Sequence, residues 1–504
     1  MENLTFIKLQ IIKNNIKSLP YFFWVVLFFM FSSCNHNTTE GPFLATGIKI
    51  GEVTQSSAIV WVRLTKNRIN AERNNPMPEV KYKHPETGEL IPKVGRPDMQ
   101  PVIMYPDGYT INTISGATPG HKGMVRLRFK RKSDKKWKQL AWHPVNPNKN
   151  FTHQFEIHGL LAGEEYDVLL EGRKNRKRKI SHSIKGQFKT PPDRDIVKEI
   201  NFFIVTCTAY GSVDSKAGYK FYNNAQKLAP EFFVHTGDVV YYDRRGKTSS
   251  LARWHWDRMY SYPIHIEFHK QITSYFMKDD HDTWMNDCYP DLETRFMGEF
   301  TFEKGLQVFR EEVPMGEKTY RKFRWGNDLE IWLVEGRDFR SPNPMPDGPQ
   351  KTIWGEEQME WFKNTVKASD ATFKILISPT PVVGPDRRNK NDNHANEGFA
   401  YEGQMLREFI SAQENMVVVC GDRHWQYVSK DSATGLMEFG CGPGSDKHAG
   451  GWDPNDKRPE HQYLRVGGGG MEGLVYREDG QPKLSFRHYN PDGRLLNEYI
   501  IDQK

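Results

Sequence analysis

The sequence is poor in cysteine, five in 504 residues, so a disulfide scaffold does not hold this fold together. It has no internal repeat, which excludes a repeat architecture, and its one low-complexity tract is the glycine run Gly467 to Gly470. The apolar run Tyr21 to Phe31 is too short to span a bilayer comfortably. Strong charge of one sign is missing too: a net +7 names no partner by itself. The sulfatase-type C-x-P-x-R signature is also absent, since Cys207 is followed by Thr208-Ala209-Tyr210, and this excludes a formylglycine mechanism.

What is present is a globular composition, 37% hydrophobic and 26% charged, at a length that suggests two domains. Lys8, Lys13 and Lys17 precede the apolar run, and Ser32-Ser33-Cys34 follows it. That order reads as a secretory signal peptide over 1–33 and resembles a lipobox, with Cys34 as the acylated residue and 34–44 as a tether. An uncleaved anchor helix is the alternative. Both readings put the rest of the chain outside the cytoplasm beside a membrane, in the periplasm or at the cell surface. The other four cysteines leave room for one or two disulfides of open pairing. The basic run Arg173 to Lys179 predicts a solvated hairpin tip, with contact to an anionic polymer or headgroups as the other reading.

From Thr46 the chain alternates in period two, over Thr46 to Gly51 and Ser57 to Arg63, then Phe151 to Ile157 and Glu165 to Glu171. Leu160-Leu161-Ala162-Gly163-Glu164-Glu165-Tyr166 resembles the tyrosine corner of a fibronectin type III or immunoglobulin-like sandwich. Residues 45–192 are therefore expected to form a β-sandwich, with an insertion around 70–120. From Ile200 onward, apolar runs (200–205, 231–236, 329–334, 373–377 and 416–420) alternate with helical stretches at 219–228, 354–366 and 403–411, the pattern of a layered α/β domain over 198–504. The runs at 437–441 and 483–489 are expected to make a closing hairpin layer.

Ligand sites in such folds collect at the carboxyl ends of strands. Here those ends carry Cys207; Asp238 with Tyr241; Asp279-Asp280-His281-Asp282; Arg337; and Asp422-Arg423-His424. Thiolate, phenolate and imidazole suit a trivalent or borderline ion, and carboxylates suit a harder divalent one. Two cations about 3.5 to 4 Å apart clamp a phosphoryl group and generate a hydroxide for in-line attack. His281 is placed to protonate a leaving alkoxide and Arg337 to neutralise phosphoryl oxygens. In the loop Gly384 to Gly398, Arg387, Arg388, Lys390 and His394 are candidates for a distant anionic group, or form a solvated loop. Trp284 and Trp425 either stack on substrate or pack.

This ordered set resembles the alkaline phosphatase D (PhoD-like) family of calcineurin-like metallophosphoesterases. The resemblance implies a four-layer αββα domain behind the sandwich, and an iron ion on Cys207, Asp238, Tyr241 and His424. It implies calcium on the other side of Asp238, held by Asp280 and Asp422, with Asn286 as a further ligand or phosphate contact. Mn2+, Zn2+ or Mg2+ are possible substitutes. It assigns phosphate contact to His281 and Arg337, and leaves Asp279 and Asp282 as orienting residues. Two departures are Glu335 where the family has aspartate, and Ser378-Pro379-Thr380 where related enzymes have a histidine ligand. The implied reaction is hydrolysis of a phosphate mono- or diester, with an anionic polysaccharide or a nucleotide as candidate carriers of the ester. A sulfate-ester hydrolase on the same centre, and a non-catalytic surface glycan-binding protein, are the competing readings.

Overall fold

In a computed structural model that describes residues 41–92 and 98–503, strand Ile200–Val205 sends Ile200, Phe202 and Ile204 to one face and Phe203 and Val205 to the other, all but fully buried. A strand that is apolar on both faces must be covered on both. It lies in a six-stranded sheet, in the order Thr273–Phe276, Phe232–His235, Ile200–Val205, Gly470–Glu478, Gln481–Tyr489, Leu495–Asp502, with the first three parallel. A seven-stranded sheet stacks on it, in the order Arg321–Trp325, Leu329–Leu333, Phe373–Ser378, Met416–Cys420, Met437–Cys441, Gln426–Lys430, His461–Arg465. Phe202, Val234, Ile331, Ile375 and Phe439 meet between the sheets. Each such buried side chain contributes about 1.5–3 kcal/mol.

Helices Lys220–Lys227, Ser249–Met259, Pro263–His269 and Phe302–Glu312 cover the outer face of the first sheet through Phe221, Trp256, Phe268 and Phe309. Gly355–Lys367 and Ala400–Ser411 cover the second through Phe362 and Leu406. The hydroxyls of Thr248 and Thr301 cap two of these helices, accepting from Leu251 N and Lys304 N. The result is the expected four-layer αββα arrangement. The expected closing layer needs correction: Met437–Cys441 pairs with Gln426–Lys430 inside the second sheet, whereas Gln481–Tyr489 belongs to the first. The polar turn Asp431 to Gly435 closes the former hairpin locally, Gly435 N donating to Asp431 O.

The N-terminal strands form a sandwich of Ile48–Gly51, Ser57–Arg63 and Thr152–His158 against His182–Lys189, Glu165–Arg173, Met124–Arg131 and Lys138–Gln139. Val60, Leu127, Phe155 and Val168 fill it, and Tyr166 OH accepts from Leu161 N at 2.8 Å, as the corner motif predicts. Lys174 to Lys179 form the exposed tip of its hairpin. The insertion makes its own small sheet, Glu79–Lys83 between Leu90–Pro92 and Pro101–Met104, and lies on the α/β layers, where Trp254 Nε1 donates to Ser115 O and Tyr82 stacks on Phe296. The sandwich is bonded to the same layers by Trp61 Nε1 to Glu311 O at 2.6 Å and Gln187 N to Lys270 O at 2.9 Å. Beside them lies a buried charged cluster. Arg63 meets Asp257 at 2.9 Å, Lys49 Nζ donates to Glu312 O at 2.7 Å, and Asn150 Nδ2 reaches Asp257 Oδ1 and Glu312 Oε1 at 2.9 and 2.7 Å.

Among the described residues no helix is long and apolar enough to cross a membrane, and Cys207, Cys288, Cys420 and Cys441 are all buried free thiols. Cys34 and the signal and tether segments up to residue 40 lie outside the described residues.

Candidate metal centre

Both sheets deliver their polar residues to one place. Cys207, Asp238 and Asp280 follow strands of the first sheet, and Asp422 and His424 follow Met416–Cys420 of the second. Three of these turn in the left-handed region, Cys207 at φ 50°, Asp238 at 59° and Asp422 at 61°. A residue with a Cβ held there stores roughly 1–3 kcal/mol, which the surrounding structure must offset. Hydrogen bonds between loops do so. Cys207 N donates to Gly237 O, Thr208 N to Asp238 O, Val239 N to Asp282 Oδ2, and Asp422 N to Thr206 Oγ1. Gly421 lets the two sheets' loops close: a Cβ there would stand 2.4 Å from Thr236 Oγ1.

The donor atoms cluster tightly. Those of Cys207, Asp238 and His424 lie within 4.8 Å of one another, as do those of Asp238, Asp280 and His281, and those of Asp238, Asp279 and Asp422. Asp238 belongs to each group. Tyr241 OH stands 3.2 Å from Asp238 Oδ2, and Cys207 Sγ 3.6 Å from the same oxygen. Burial, opposed by His281 and reinforced by Asp280 and Asp279, pushes the Asp238 carboxyl well above its usual range. Burial also raises Asp279 and, with Asp238 and Asp422, the Cys207 thiol. Burial lowers His424 to about 4, so its imidazole is neutral and able to coordinate at neutral pH. Asp238 Oδ1, Asp279 Oδ2 and Asp280 Oδ1 are buried acceptors without a hydrogen-bond donor. Two crowded carboxylates that resist ionisation, Asp238 and Asp279, and three buried carboxylate oxygens without donors fit cations, which would compensate both costs.

The structure redistributes the roles around this core. Asp279, expected only to orient its neighbours, reaches Asp238 and Asp422 as a candidate ligand. Asp282 does orient, its oxygens accepting from Asp279 N at 2.7 Å and Val239 N at 2.9 Å. His281 lies 4.2 Å ring to ring from Tyr241 with Nδ1 3.3 Å from Asp243 Oδ1. Burial opposes its protonation, but Asp243, Asp280 and Asp238 outweigh burial and hold its pKa well above normal. Arg337 requires correction as a substrate contact. Its side chain is wholly buried, with Nε on Asp279 Oδ1 at 2.6 Å and NH2 3.7 Å from Asp280, so it neutralises the acidic cluster from behind. Glu335 accepts from Arg337 N and pairs with the buried Lys278 at 2.7 Å, which makes it the anchor of that turn. Asn286 is half-buried, in the turn that follows Asp280–Thr283.

The aromatic and loop candidates divide. Trp284 packs in the core with Nε1 on Phe300 O, and Trp425 is fully buried against Trp452, so neither stacks on substrate. His394 is sealed, with Nε2 2.9 Å from Glu402 Oε2, and is a structural histidine. Lys390 is held by Asp287 at 2.5 Å and Asp392 at 3.5 Å. Arg387 is half-buried, and Arg388 is exposed. One residue passed over in the sequence stands at the centre: His448, with Nε2 2.8 Å from Tyr241 OH, Nδ1 3.2 Å from Ser212 Oγ, and its ring 4.3 Å from that of His424. The signal was available, because Ser445 to His448 is a polar stretch after the apolar strand Met437–Cys441.

A family model for PhoD-like phosphatase matches residues 202–464, which hold all of these donors. The chain belongs to the PhoD-like phosphatase family. As a member it is a phosphoesterase with a metal-dependent centre, and the candidate donors fit that requirement. The fold is similar to the solved structure of PhoD, at 16% identity and TM-score 0.68, over 92% of this chain and 90% of that one. It is also similar to purple acid phosphatase PPD1 from yellow lupin (Lupinus luteus) seeds, at 12% identity and TM-score 0.59, over 90% and 74%. A sequence comparison with curated proteins gives no match.

Proposed function

We propose that this PhoD-like phosphatase hydrolyses phosphate mono- or diesters at an unlike metal pair, ferric iron with calcium. The supporting observation is that Asp238 is shared, by Cys207 and His424 with Tyr241 OH on the same carboxylate, by Asp279 and Asp422, and by Asp280 with His281; we take Cys207, Tyr241 and His424 as the first set and Asp279, Asp280 and Asp422 as the second. The first set, with Asp238, would hold the iron, and the second the calcium; manganese, zinc or magnesium are substitutes. Bound there, the pair supplies Lewis acidity that activates a water and stabilises the phosphoryl oxygens. The chain's own residues do the rest. Asp243 orients His281 through Nδ1 and keeps it protonated, which leaves Nε2 to give a proton to the departing alkoxide. Arg337 favours the charged forms of Asp279 and Asp280, opposing the burial that disfavours them. His448 fixes the Tyr241 hydroxyl.

Metal analysis of the purified protein, with turnover of aryl phosphate, bis-aryl phosphate and aryl sulfate, tests this. Bound iron and calcium with phosphate-ester turnover are the expected result. Protein that binds neither ion nor a substitute, or that prefers the sulfate, overturns it. On the sequence, we also propose that the enzyme works outside the cytoplasm on a lipid anchor at Cys34. Mass spectrometry should find an acylated N-terminus at Cys34, and Cys34→Ser should release the protein from membranes.

A further inference from the structure

Beside the metal centre lies a cavity of about 610 Å3, lined by Arg387, Arg388, Arg458, Gly451, Trp452, Asp453 and Asp456. Two connections tie it to the centre. Gly450 N donates to His424 O at 3.1 Å, which hangs the 450–458 turn on a candidate ligand. On the other wall, Arg423 bonds Asp422 and also Asp386 Oδ1 at 3.0 Å, and Asp386 Oδ1 in turn accepts from Arg387 N at 2.6 Å. The Arg387 guanidinium then sits 5.6 Å from the Trp425 ring, next in sequence to His424. Gly451, at φ 85°, gives it room, since a Cβ there would stand 3.1 Å from Arg387 NH1.

The charges of this cavity do not cancel. Arg458 is bidentate on Asp456, at 2.5 and 2.7 Å, and that pair is satisfied. Asp453 Oδ1 accepts from Asn455 N and Nδ2. Asp386 Oδ1, the carboxylate oxygen nearest Arg387 at 3.6 Å, is engaged more closely by Arg423, and Arg387 Nε has no hydrogen-bond partner. Arg388 is exposed. Three arginines therefore line an open cavity against two carboxylates, Asp453 and Asp456, the second tied to Arg458, and the buried Trp452 forms part of its wall. An Arg fork with spare donors recognises carboxylate or phosphate.

We infer that this cavity binds a second anionic group, carboxylate or phosphate, on the alcohol half of the substrate, joined to the scissile phosphate by a carbon chain that crosses Trp452. This deepens the phosphoester reading and rests on it, but its test does not depend on turnover. Alkylphosphonates have a C–P bond that an ester hydrolase does not cut. The metal-loaded protein is titrated calorimetrically with plain alkylphosphonates of two to six carbons, and with the same chains ending in carboxylate or in a second phosphonate.

At the best-matched length, a terminal anion should tighten Kd at least ten-fold, and Arg387→Ala/Arg388→Ala should abolish that gain. Comparing the two terminal groups tells which anion the cavity prefers. If no length tightens binding, or the gain survives the double substitution in protein of unchanged circular dichroism, the inference is overturned. A gain that is present and arginine-dependent in a protein that turns over no phosphoester would uphold the cavity and sink the proposed reaction instead.

Discussion

At the junction with the sandwich, Lys49 and Arg63 meet Asp257 and Glu312, and Asn150 bridges the two carboxyl groups. At the strand ends, Asp238, Asp279, Asp280, Asp282 and Asp422 crowd together with Arg337, Arg423 and His281 as the cations in contact. Both clusters are buried. In the first, both Asp257 oxygens and Glu312 Oε1 have partners; in the second, three buried carboxylate oxygens find none. Balanced burial serves folding, while an unbalanced, underbonded cluster is a place prepared for something the chain does not itself supply.

Substitutions should separate the two clusters. The largest expected effect is on activity: Asp238→Asn should cost roughly a thousand-fold or more in kcat, because it removes the donor shared by the groups that hold Cys207, Asp279 and His281. In metal-free protein the same change should leave the melting temperature level or raise it, since a strained, underbonded carboxylate is relieved. A marked fall would place Asp238 with the structural cluster. Next, Asp257→Asn should cost about 3–5 kcal/mol in denaturant unfolding by leaving Arg63 buried and unpaired, with kcat of the surviving fold unchanged. Loss of activity in parallel with intact stability would break the contrast. Removing metal with chelator should lower stability by about 2.7 kcal/mol for each ion present at a hundred times its Kd, an effect that Asp238→Asn should erase.

The smallest effect is a pH dependence. Burial, reinforced by Asp257 and opposed by Arg63 and Lys49, raises the Glu312 carboxyl to about 8. The folded chain keeps that proton up to about pH 8, while the unfolded chain releases it near its ordinary value of about 4.3. Raising the pH from 5 to 8 should therefore weaken the fold through this group, and Glu312→Gln should flatten that decline. Guanidinium midpoints at both pH values measure it, and equal slopes in both proteins would refute it.

Much of this was legible in the sequence because strands carry a period and ligands sit where the period stops. Ile200 to Val205 and Met416 to Cys420 announced themselves as strands buried on both faces, and Cys207 and Asp422 followed directly. The tyrosine corner at Tyr166 was equally plain. Roles that depend on direction were not legible. Nothing in the order of residues says that Arg337 turns inward to Asp279, or that His394 is sealed on Glu402 while Arg388 is exposed. His448 was missed because its significance lies in its contact with Tyr241, 207 positions away in sequence. The helix Ser249–Met259 was missed because tryptophan, histidine and arginine blur its apolar stripe, whereas Phe302–Glu312 carries a plain stripe in Phe302, Leu306 and Phe309 that could have been found.

The division of donors between the two sheets has a mechanical consequence. Cys207, Asp238 and Asp280 ride on one sheet and Asp422 and His424 on the other, so cations bound among them would act as a clasp across the seam filled by Phe202, Ile331 and Phe439. Any loosening of that seam, even one begun by a core substitution far from the clasp, would spread the donors and speed the escape of the ions. Retention of metal would then report on how firmly the whole sandwich of sheets is closed.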